Sequence, residues 1–395
     1  MHIAAVVAEY NPFHNGHAYH LERTRQMGAD AVVAVMSGNF VQRGEAAILS
    51  KWARAEAAVR SGADLVLELP LLWATSGAQG FARGAVSTVR HLGCVQSLSF
   101  GSECGDAERI RYVADLVEDY RVGASMRSAL DKGVSFAAAR EAAVRTLFGD
   151  TMADVLRTPN DTLAVEYCLA AKQCNADLDL MAVPRVGAEH DSSDERDGIR
   201  SASAIRSDLR DGRAIDCCPE AMREIWRREL SAGRAPASLA HLERMVLAKL
   251  RAAESAQIAA LPDVSEGLEN RILHAASTAD SLQSLYDSVK TKRYPHARIR
   301  RIVLSALLDV RRSDIPPEVP YIRVLAIGKR GAEILRLAKE TADLPVLTKM
   351  TVPMSDVGKR VFDAEYRSTE LYNLLLPRVV PSGTELTTPI YVQKE

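Results

Sequence analysis

The sequence lacks an apolar run long enough to cross a membrane. Its longest apolar runs, such as residues 31–36 and 65–72, stop well short of the roughly 20 residues that a membrane-spanning helix needs. The first residues, MHIAAVVAEY, also lack the basic region, the long apolar segment and the small-residue cleavage site of a signal peptide. We therefore expect a soluble, cytoplasmic protein, and its length of 395 residues favours two domains or one domain with a long extension.

Paired cysteines and an excess of charge of one sign are missing as well. The 6 cysteines are scattered without a Cys-x-x-Cys spacing, so the sequence supports neither a metal site nor a disulfide framework. Lysine and arginine number 50 against 51 aspartates and glutamates, which gives a formal net charge of -1. This balance excludes a uniformly basic nucleic-acid coat but allows a local basic face.

Short apolar segments alternate with amphipathic segments over the first 110 residues. The apolar segments have strand length and cover residues 2–8, 31–37, 64–70 and 95–101. The segments with helical periodicity are each followed by glycine, the usual residue just past a helix end, and cover residues 17–27, 51–61 and 77–92. This alternation predicts right-handed βαβ units, and therefore an α/β fold with a Rossmann-like parallel sheet.

The alternation of strands and helices ends near residue 215. Residues 106–174 are mostly helical in pattern, and residues 178–185 predict one more buried strand. Between residues 219 and 310 every long periodic segment has the helical period. We predict an α/β domain over residues 1–215 and a mostly α-helical domain over residues 216–395, whose part from Pro316 onwards is mixed.

The loop after the first predicted strand reads His14-Asn15-Gly16-His17. In a parallel sheet, the first strand-to-helix turn is the usual place for a phosphate, because helix N-terminal N–H groups and the helix dipole favour an anion. Gly16 lets the backbone approach a ligand closely. The two imidazoles add side-chain donors, and one well-placed donor can stabilise a transition state by roughly 3 kcal/mol. The alternative is a pair of ordinary loop histidines, but their position favours a phosphate site.

This arrangement resembles the HIGH-motif nucleotidyltransferases, whose members attack the α-phosphate of a nucleoside triphosphate and release pyrophosphate. The resemblance implies a second motif at another helix start, with a hydroxyl and a final basic residue. Residues 201–206, SASAIR, fit it: Ser201 or Ser203 can cap the helix, and the planar guanidinium of Arg206 can bind the β and γ phosphates. Taken alone, this string would indicate only a capped surface helix.

Several further strings narrow the resemblance. In chain order over residues 1–210 they are VVAEYNPFHNGHAYHL, GNFVQRGEAAILSKWARAEAAVRSGADLVLELP, FARGAV, SFGSE, TPNDTLAVEY, RVGAEHD and SASAIR. Together they resemble the bacterial tRNA(Met) cytidine acetate ligases, and YDSVKTKRYPHARIRRIVL and YIRVLAIGKRGAEIL extend the resemblance more loosely. The family pattern more often has threonine where Ser203 stands and asparagine where Asp161 stands. Because Ser203 keeps the hydroxyl, the implied chemistry is retained.

The resemblance implies a nucleotidyltransferase-like, ATP-binding catalytic domain over residues 1–215 and a tRNA-binding domain over residues 216–395, and it also implies a set of site residues. The implied catalytic residues are His14, His17 and Arg206. The implied ATP-binding residues are Val7, Ala8, Glu9, Tyr10, Asn11, Pro12, Phe13, His14, Asn15, Gly16, His17, Ala18, Tyr19, His20, Gly101, Asn160, Arg185, Val186 and Ser203. Gln42, Arg43 and Lys51 follow the second predicted strand and are further candidates for binding acetate or the nucleotide, although a charged surface loop explains them equally well.

The family's activity implies a reaction in two steps. Acetate attacks the α-phosphorus of ATP to give acetyl-adenylate and diphosphate, and N4 of the wobble cytidine (C34) in elongator tRNA(Met) then takes the acetyl group and releases AMP. The two histidines would stabilise charge on the α-phosphate, and Arg206 would hold the departing diphosphate. Mg2+ is expected to accompany ATP, yet no carboxylate cluster in the sequence identifies its ligands.

A dense basic stretch in the predicted helical domain is the candidate RNA-binding surface. It is interleaved with Tyr294 and His296 and consists of Lys290, Lys292, Arg293, Arg298, Arg300 and Arg301. Basic side chains beside an aromatic ring suit phosphate contacts and base stacking. The alternative is a solvated helix face of mixed charge, but nearly all of these charges have one sign, which favours RNA.

Two other functions stay open on the sequence alone. An adenylyl- or cytidylyltransferase acting on a small phosphorylated acceptor would explain the first 210 residues, but not a helical domain with a basic stretch. A non-catalytic RNA-binding protein with a vestigial nucleotide site would explain the basic stretch. The intact His14, Gly16, His17 and Arg206 argue against it.

Overall fold

The computed structural model describes residues 1–185, 200–213, 216–265, 267–349 and 355–394. The strands of these ranges are β1 (Ile3–Ala8), β2 (Ala31–Ser37), β3 (Phe40–Val41), β4 (Glu45–Ala46), β5 (Leu65–Leu69), β6 (Ser97–Ser102), β7 (Asp179–Pro184), β8 (Ile322–Ile327), β9 (Val346–Leu347) and β10 (Tyr391–Val392).

Helices make up most of the remaining regular structure. They are α1 (Asn15–Gln26), α2 (Lys51–Arg60), α3 (Leu71–Ala74), α4 (Ala78–Leu92), α5 (Ala107–Val117), α6 (Tyr120–Asp131), α7 (Phe136–Phe148), α8 (Asp150–Ala153), α9 (Pro159–Gln173), α10 (Ala202–Arg210), α11 (Glu220–Ser231), α12 (Glu243–Ala252), α13 (Ser255–Ala259), α14 (Leu268–Thr278), α15 (Leu282–Val289), α16 (His296–Leu308), α17 (Gly331–Thr341), α18 (Asp356–Asn373) and α19 (Thr384–Thr387). Among the helices of the described ranges, none is long and apolar enough to span a membrane.

The main sheet confirms the predicted α/β fold. Its strand order is β10-β8-β5-β2-β1-β6-β7, with β9 paired to β8. The five strands predicted from apolar runs, β1, β2, β5, β6 and β7, pair in parallel. Every residue of β2, AVVAVMS, is buried, as expected for a parallel strand covered by helices on both faces. This part of the sheet brings the carboxyl ends of β1, β6 and β7 to one edge.

The sheet continues into the part of the chain that the sequence left unplaced. Strand β8 lies antiparallel to β5, with Leu65 opposite Ile327, and β10 lies parallel to β8 on its other side. The predicted boundary at residue 215 therefore does not separate the sheet from the rest of the chain. The cause is non-local pairing: β8 is a short strand that finds its partner more than 250 residues earlier.

Helices cover both faces of the sheet and also form the C-terminal half. Helices α4, α5 and α9 pack on one face, and α1, α2, α10 and α11 pack on the other. Helices α12 to α16 pack against one another through an apolar core that is continuous with the first face. The C-terminal half is thus mostly helical, as predicted, and it joins the main sheet through a shared core.

A buried cluster of charges ties the last helices to the sheet. The Nζ atom of Lys51 lies 2.6 Å from Glu68, 3.2 Å from Glu365 and 2.9 Å from Glu385. Arg323 of β8 pairs with Glu385 and lies 3.4 Å from Glu68. Burial and the neighbouring charge of Glu68 raise the pKa of Glu365 to about 7. Lys51 is therefore fully buried in this cluster and does not face a ligand.

Candidate active site

A cavity of about 350 Å³ opens where β1, β6 and β7 end. Its wall contains the last residues of these strands and the first residues of three helices, α1, α9 and α10. The volume falls within the range of small-molecule sites, and the position is where ligands bind in open parallel sheets. Three helix N-termini at one cavity favour a ligand with several negative charges.

The first turn of α1 fixes both histidines by a reciprocal cap. The backbone N–H of Gly16 donates to Nδ1 of His14 over 3.1 Å, and the backbone N–H of His14 donates to Nδ1 of His17 over 3.2 Å. A ring nitrogen that accepts a hydrogen bond carries no proton, so each neutral ring holds its proton on Nε2. The rings stack with centroids 3.8 Å apart and planes at 26°. Each imidazole thus keeps one N–H donor, on the side of the ring opposite its backbone contact.

Both histidines are uncharged at neutral pH. Burial, together with the positive charges of Arg185 and Arg206, lowers the pKa of His14 to about 4. Burial and the neighbouring rings of His14 and His20 lower the pKa of His17 well below its ordinary value. The cavity therefore offers neutral imidazole donors beside arginine cations.

Two buried aromatic residues, Tyr10 and Phe13, pack against the ring of His17. Phe13 is fully buried, and its ring lies 5.5 Å from that of His17. The ring of Tyr10 meets His17 edge-on with centroids 4.9 Å apart, and it also contacts Phe13. These contacts explain why the loop sequence YNPFHNGH carries large aromatic residues just before the first histidine. They hold the ring of His17 in place, and the ring of His14 stacks on it.

The second motif, residues 201–206, forms the N-terminal end of α10, and part of it lies on the wall of the same cavity. The hydroxyl of Ser201 caps the helix by accepting a hydrogen bond from the backbone N–H of Ala204 over 3.2 Å. Ser203 and Arg206 lie on the cavity wall. The guanidinium of Arg206 donates to the carbonyl oxygen of Asn11 over 2.9 Å, which docks α10 against the histidine loop. Burial lowers the pKa of Arg206, but an arginine stays charged at neutral pH.

One side of the cavity is apolar. Phe81, Phe100, Leu163 and Tyr167 line it. Gly101 follows Phe100 at the end of β6, and a side chain there would meet only Arg185, with the nearest atom at 3.6 Å. The flat rings and the open glycine leave space for a planar heterocycle on the side of the cavity formed by α4, β6 and α9.

The loop after β6 is fastened to the first turn of α9. Buried Asp161 accepts hydrogen bonds from the hydroxyl of Ser102 over 2.5 Å and from the backbone N–H groups of Glu103 and Cys104 over 3.1 and 3.0 Å. The side chain of Asn160 donates to Glu103. Asp161 stands where the family pattern more often has asparagine. Its carboxylate binds the loop of residues 102–104 and therefore stabilises that loop rather than contacting a nucleotide.

Comparisons with known proteins decide which family this geometry belongs to. The HIGH Nucleotidyl Transferase family matches residues 1–385. The chain is 34% identical to the tRNA(Met) cytidine acetate ligase of Acetivibrio thermocellus, over 99% of this chain and 100% of that protein. It is 36% identical to the ligase of the same name from Caldanaerobacter subterraneus subsp. tengcongensis, over 99% of each. The chain belongs to the tRNA(Met) cytidine acetate ligase family.

Solved structures of one family member have the same fold. Apo TmcAL from Thermotoga maritima superposes with a TM-score of 0.94 at 34% identity, over 99% of each chain. The same protein bound with alpha-thio ATP superposes with a TM-score of 0.92 at 33% identity, again over 99% of each chain. The family resemblance read from the sequence is thereby confirmed.

The structure brings most of the predicted ATP-binding residues together. Those on the cavity wall are Val7, Ala8, Glu9, Tyr10, Asn11, His14, Gly16, His17, Tyr19, His20, Gly101, Asn160, Arg185 and Ser203, together with Arg206. Pro12, Phe13, Asn15 and Ala18 belong to the same loop and helix but do not line the cavity. Val186 lies outside the described residues.

Other wall residues were missed by sequence reasoning or left open. Gln42 and Arg43, open candidates, do line the cavity. The missed residues are Phe81, Phe100, Pro159, Leu163, Tyr167, Val183, Pro184, Arg200 and Ala202. Ser201, which also lines the cavity, had been considered only as a helix cap. The available signal was adjacency: Phe100, Pro159, Pro184 and Ser201 each lie within two residues of a predicted site residue.

The predicted RNA-binding residues divide into two sets. Lys290, Lys292 and Arg293 lie between α15 and α16, where the two lysines are exposed. The remaining three lie on α16 and contact other parts of the protein: Arg298 donates to the carbonyl of Asp263 over 2.9 Å, Arg300 pairs with Glu45, and Arg301 lies 2.6 Å from the carboxylate of Asp263. The α16 arginines therefore hold the helix against its neighbours, including the hairpin β3–β4.

Proposed function

We propose that this protein is an ATP-dependent tRNA(Met) cytidine acetate ligase acting in the cytoplasm. The observation that carries the proposal is the convergence of His14, His17 and Arg206 on one cavity at the carboxyl edge of a parallel sheet. Such a site suits a nucleoside triphosphate, and the names of the related ligases support acetate and tRNA(Met) as the other two substrates.

In the first step, an oxygen of acetate attacks the α-phosphorus of ATP and the bond to the diphosphate breaks. The Nε2–H groups of His14 and His17 donate to the non-bridging oxygens of the α-phosphate, where charge increases in the transition state. Arg206 and the N-terminus of α10 bind the departing diphosphate. The neutral rings need no protonation change to act, since their Nε2 atoms already carry the donor proton.

In the second step, N4 of the wobble cytidine C34 attacks the acetyl carbon of acetyl-adenylate. The bond from that carbon to the bridging oxygen breaks, N4 loses a proton, and AMP leaves with the bridging oxygen. The cytosine amine is a weak nucleophile because its lone pair is delocalised into the ring. Free acetate lacks a good leaving group, and its activation as acetyl-adenylate, a mixed anhydride, supplies one in AMP. The reaction therefore requires no covalent enzyme intermediate.

Magnesium fits this site as a companion of ATP. Within the part of the chain that the structure describes, no group of three histidine, cysteine or carboxylate side chains is placed to hold a metal ion. Mg2+ commonly binds through substrate phosphates, water and one or two carboxylates. Glu9 is the carboxylate of the cavity wall near Arg206, and Mg2+ bound with the triphosphate would neutralise part of the phosphate charge.

Pyrophosphate release from ATP, acetate and tRNA, with each substrate omitted in turn, tests the proposal. A ligase requires acetate for release and makes N4-acetylcytidine only when tRNA is also present. Release without acetate would instead favour a nucleotidyltransferase acting on another acceptor. Absence of release under every condition would favour a non-catalytic RNA-binding protein.

A further inference from the structure

A second cavity lies beside the nucleotide cavity, on the other side of the hairpin β3–β4. It has a volume of about 270 Å³ and is enclosed by the hairpin, the end of α10, the segment 237–240, α15 and α16. The residues on its wall are Gly44, Glu45, Ala46, Arg210, Ala237, Ser238, Leu239, Ala240, Leu282, Tyr286 and Arg300. The function proposed above assigns no role to this cavity.

The wall combines cations, one carboxylate and apolar surface. The guanidinium of Arg210 makes no ion pair or hydrogen bond with any residue that the structure describes, although it lies on the cavity wall. Arg300 lies over the ring of Tyr286, 5.6 Å from its centroid, and pairs with Oε1 of Glu45. Leu282 and Leu239 supply the apolar part. This set suits a ligand with an anionic group and a flat apolar body.

The two cavities are close neighbours. Gln42 and Arg43 line the first, and Gly44 and Glu45, the next residues of the same hairpin, line the second. Arg206 and Arg210 are separated by four residues, so their backbone positions differ by about 6 Å along α10. A single strand of RNA that placed one nucleotide in the first cavity would therefore bring a neighbouring nucleotide near the mouth of the second.

We propose that the second cavity binds an unpaired nucleotide of the substrate RNA adjacent to the cytidine that is acetylated. This inference rests on the proposed function. Arg210 binds the phosphate of that nucleotide, and its base lies against Leu239 and Leu282. Oε2 of Glu45, which accepts no hydrogen bond from a described residue, is left to accept one from an exocyclic amine on the base edge.

The reacting cytidine itself does not fit this position. Acetyl-adenylate forms beside His14 and His17 in the first cavity, and N4 must reach its carbonyl carbon there. The tip of the hairpin, residues 42–44, lies between that carbon and the second cavity. The second cavity is therefore a recognition subsite for a neighbouring nucleotide.

Two variants test the subsite by different means. Arg210→Ala removes the unpaired cation, and Ala240→Trp fills the cavity with a side chain at an exposed position of its wall. Arg336→Ala, which removes an exposed arginine from α17, is the matched control. We expect the KM for tRNA to rise about tenfold in Arg210→Ala and the salt dependence of tRNA binding to weaken by roughly one unit. Ala240→Trp raises the KM for tRNA without changing the salt slope.

Acetate-dependent ATP–pyrophosphate exchange, which needs no tRNA, is measured on the same preparations. Absence of exchange in the wild-type protein would contradict the proposed function itself. Wild-type exchange with an unchanged tRNA KM in both variants would overturn the nucleotide subsite alone, as would a fall in kcat at constant KM. A rise in the tRNA KM in both variants, with the Arg336→Ala control unchanged, supports the subsite.

Discussion

The variant His14→Asn distinguishes the two roles of His14, which are to donate a hydrogen bond from Nε2 in catalysis and to cap helix α1 through Nδ1. Asparagine is a good N-cap residue, and its side-chain oxygen can accept the Gly16 N–H as Nδ1 of His14 does. The substitution loses the stacking against His17 at 3.8 Å, which is worth about 1 kcal/mol. It also removes the Nε2–H donor, a loss of about 2.7–4 kcal/mol in transition-state stabilisation, or 10²–10³ in turnover. We therefore expect a folded protein with little activity.

Acetate-dependent ATP–pyrophosphate exchange measures the activity, and thermal unfolding measures the stability. The matched control is His274→Asn, which changes an exposed histidine of α14. Exchange within tenfold of the wild-type rate in a stable His14→Asn protein would refute the donor role. A loss of exchange that follows a loss of folded protein would show that the ring is needed for structure only.

Three further predictions concern the hairpin, the buried charges and the RNA surface. Gly44→Ala should lower the melting temperature by several degrees more than Gly212→Ala. Both glycines have φ near +70°, but only at Gly44 would a Cβ atom meet the backbone of α16, at 2.4 Å. The raised pKa of Glu365 means that the folded state binds a proton the unfolded state has lost, so the free energy of unfolding falls as pH rises from about 4.5 to 7. Denaturant titrations across this range should show a smaller fall in Glu365→Gln, and an equal fall would contradict the buried-charge assignment. Substituting Lys292 and Arg293 together should weaken tRNA binding and flatten its salt dependence by roughly one unit per lost phosphate contact, whereas an unaltered salt slope would place the RNA surface elsewhere.

The sheet that carries the site was predictable because its signals are local. Strands β1, β2, β5, β6 and β7 are apolar runs, and a glycine follows the end of each of the helices α1, α2 and α4. The helix boundaries were predicted less accurately: the sequence pattern predicted that the first helix begins at His17, whereas α1 begins at Asn15. The reason is that His14 caps this helix, in a position usually taken by serine, threonine, aspartate or asparagine.

Strand β8 was not predicted because its sequence and its pairing both lack a local signal. Its sequence, IRVLAI, places Arg323 in the interior of the protein, where an arginine is rare unless it is paired. The carboxylates that pair with it, Glu68 and Glu385, lie far away along the chain. Only the folded structure shows that this arginine is compatible with a buried strand.

The polar half of the nucleotide cavity was predictable, and the apolar half was not. The histidine loop and the SASAIR motif stand where a strand or a loop gives way to a helix, so their positions already indicate an anion site. Phe81, Leu163 and Tyr167 lie on helices with the same spacing as core residues. Nothing in a single sequence separates an aromatic residue on a cavity wall from one in the core. The second cavity combines segments from five places in the chain and has no sequence signature.

The fate of the acetate oxygens tests the central claim most directly. With acetate labelled by ¹⁸O on both oxygens, attack on the α-phosphorus followed by transfer of the acetyl group leaves one labelled oxygen in AMP and the other in the N4-acetyl group. Mass spectrometry of AMP and of the digested tRNA(Met) measures both. The account predicts singly labelled AMP, formed in equal amount with N4-acetylcytidine. Unlabelled AMP, or label in inorganic phosphate, would contradict it.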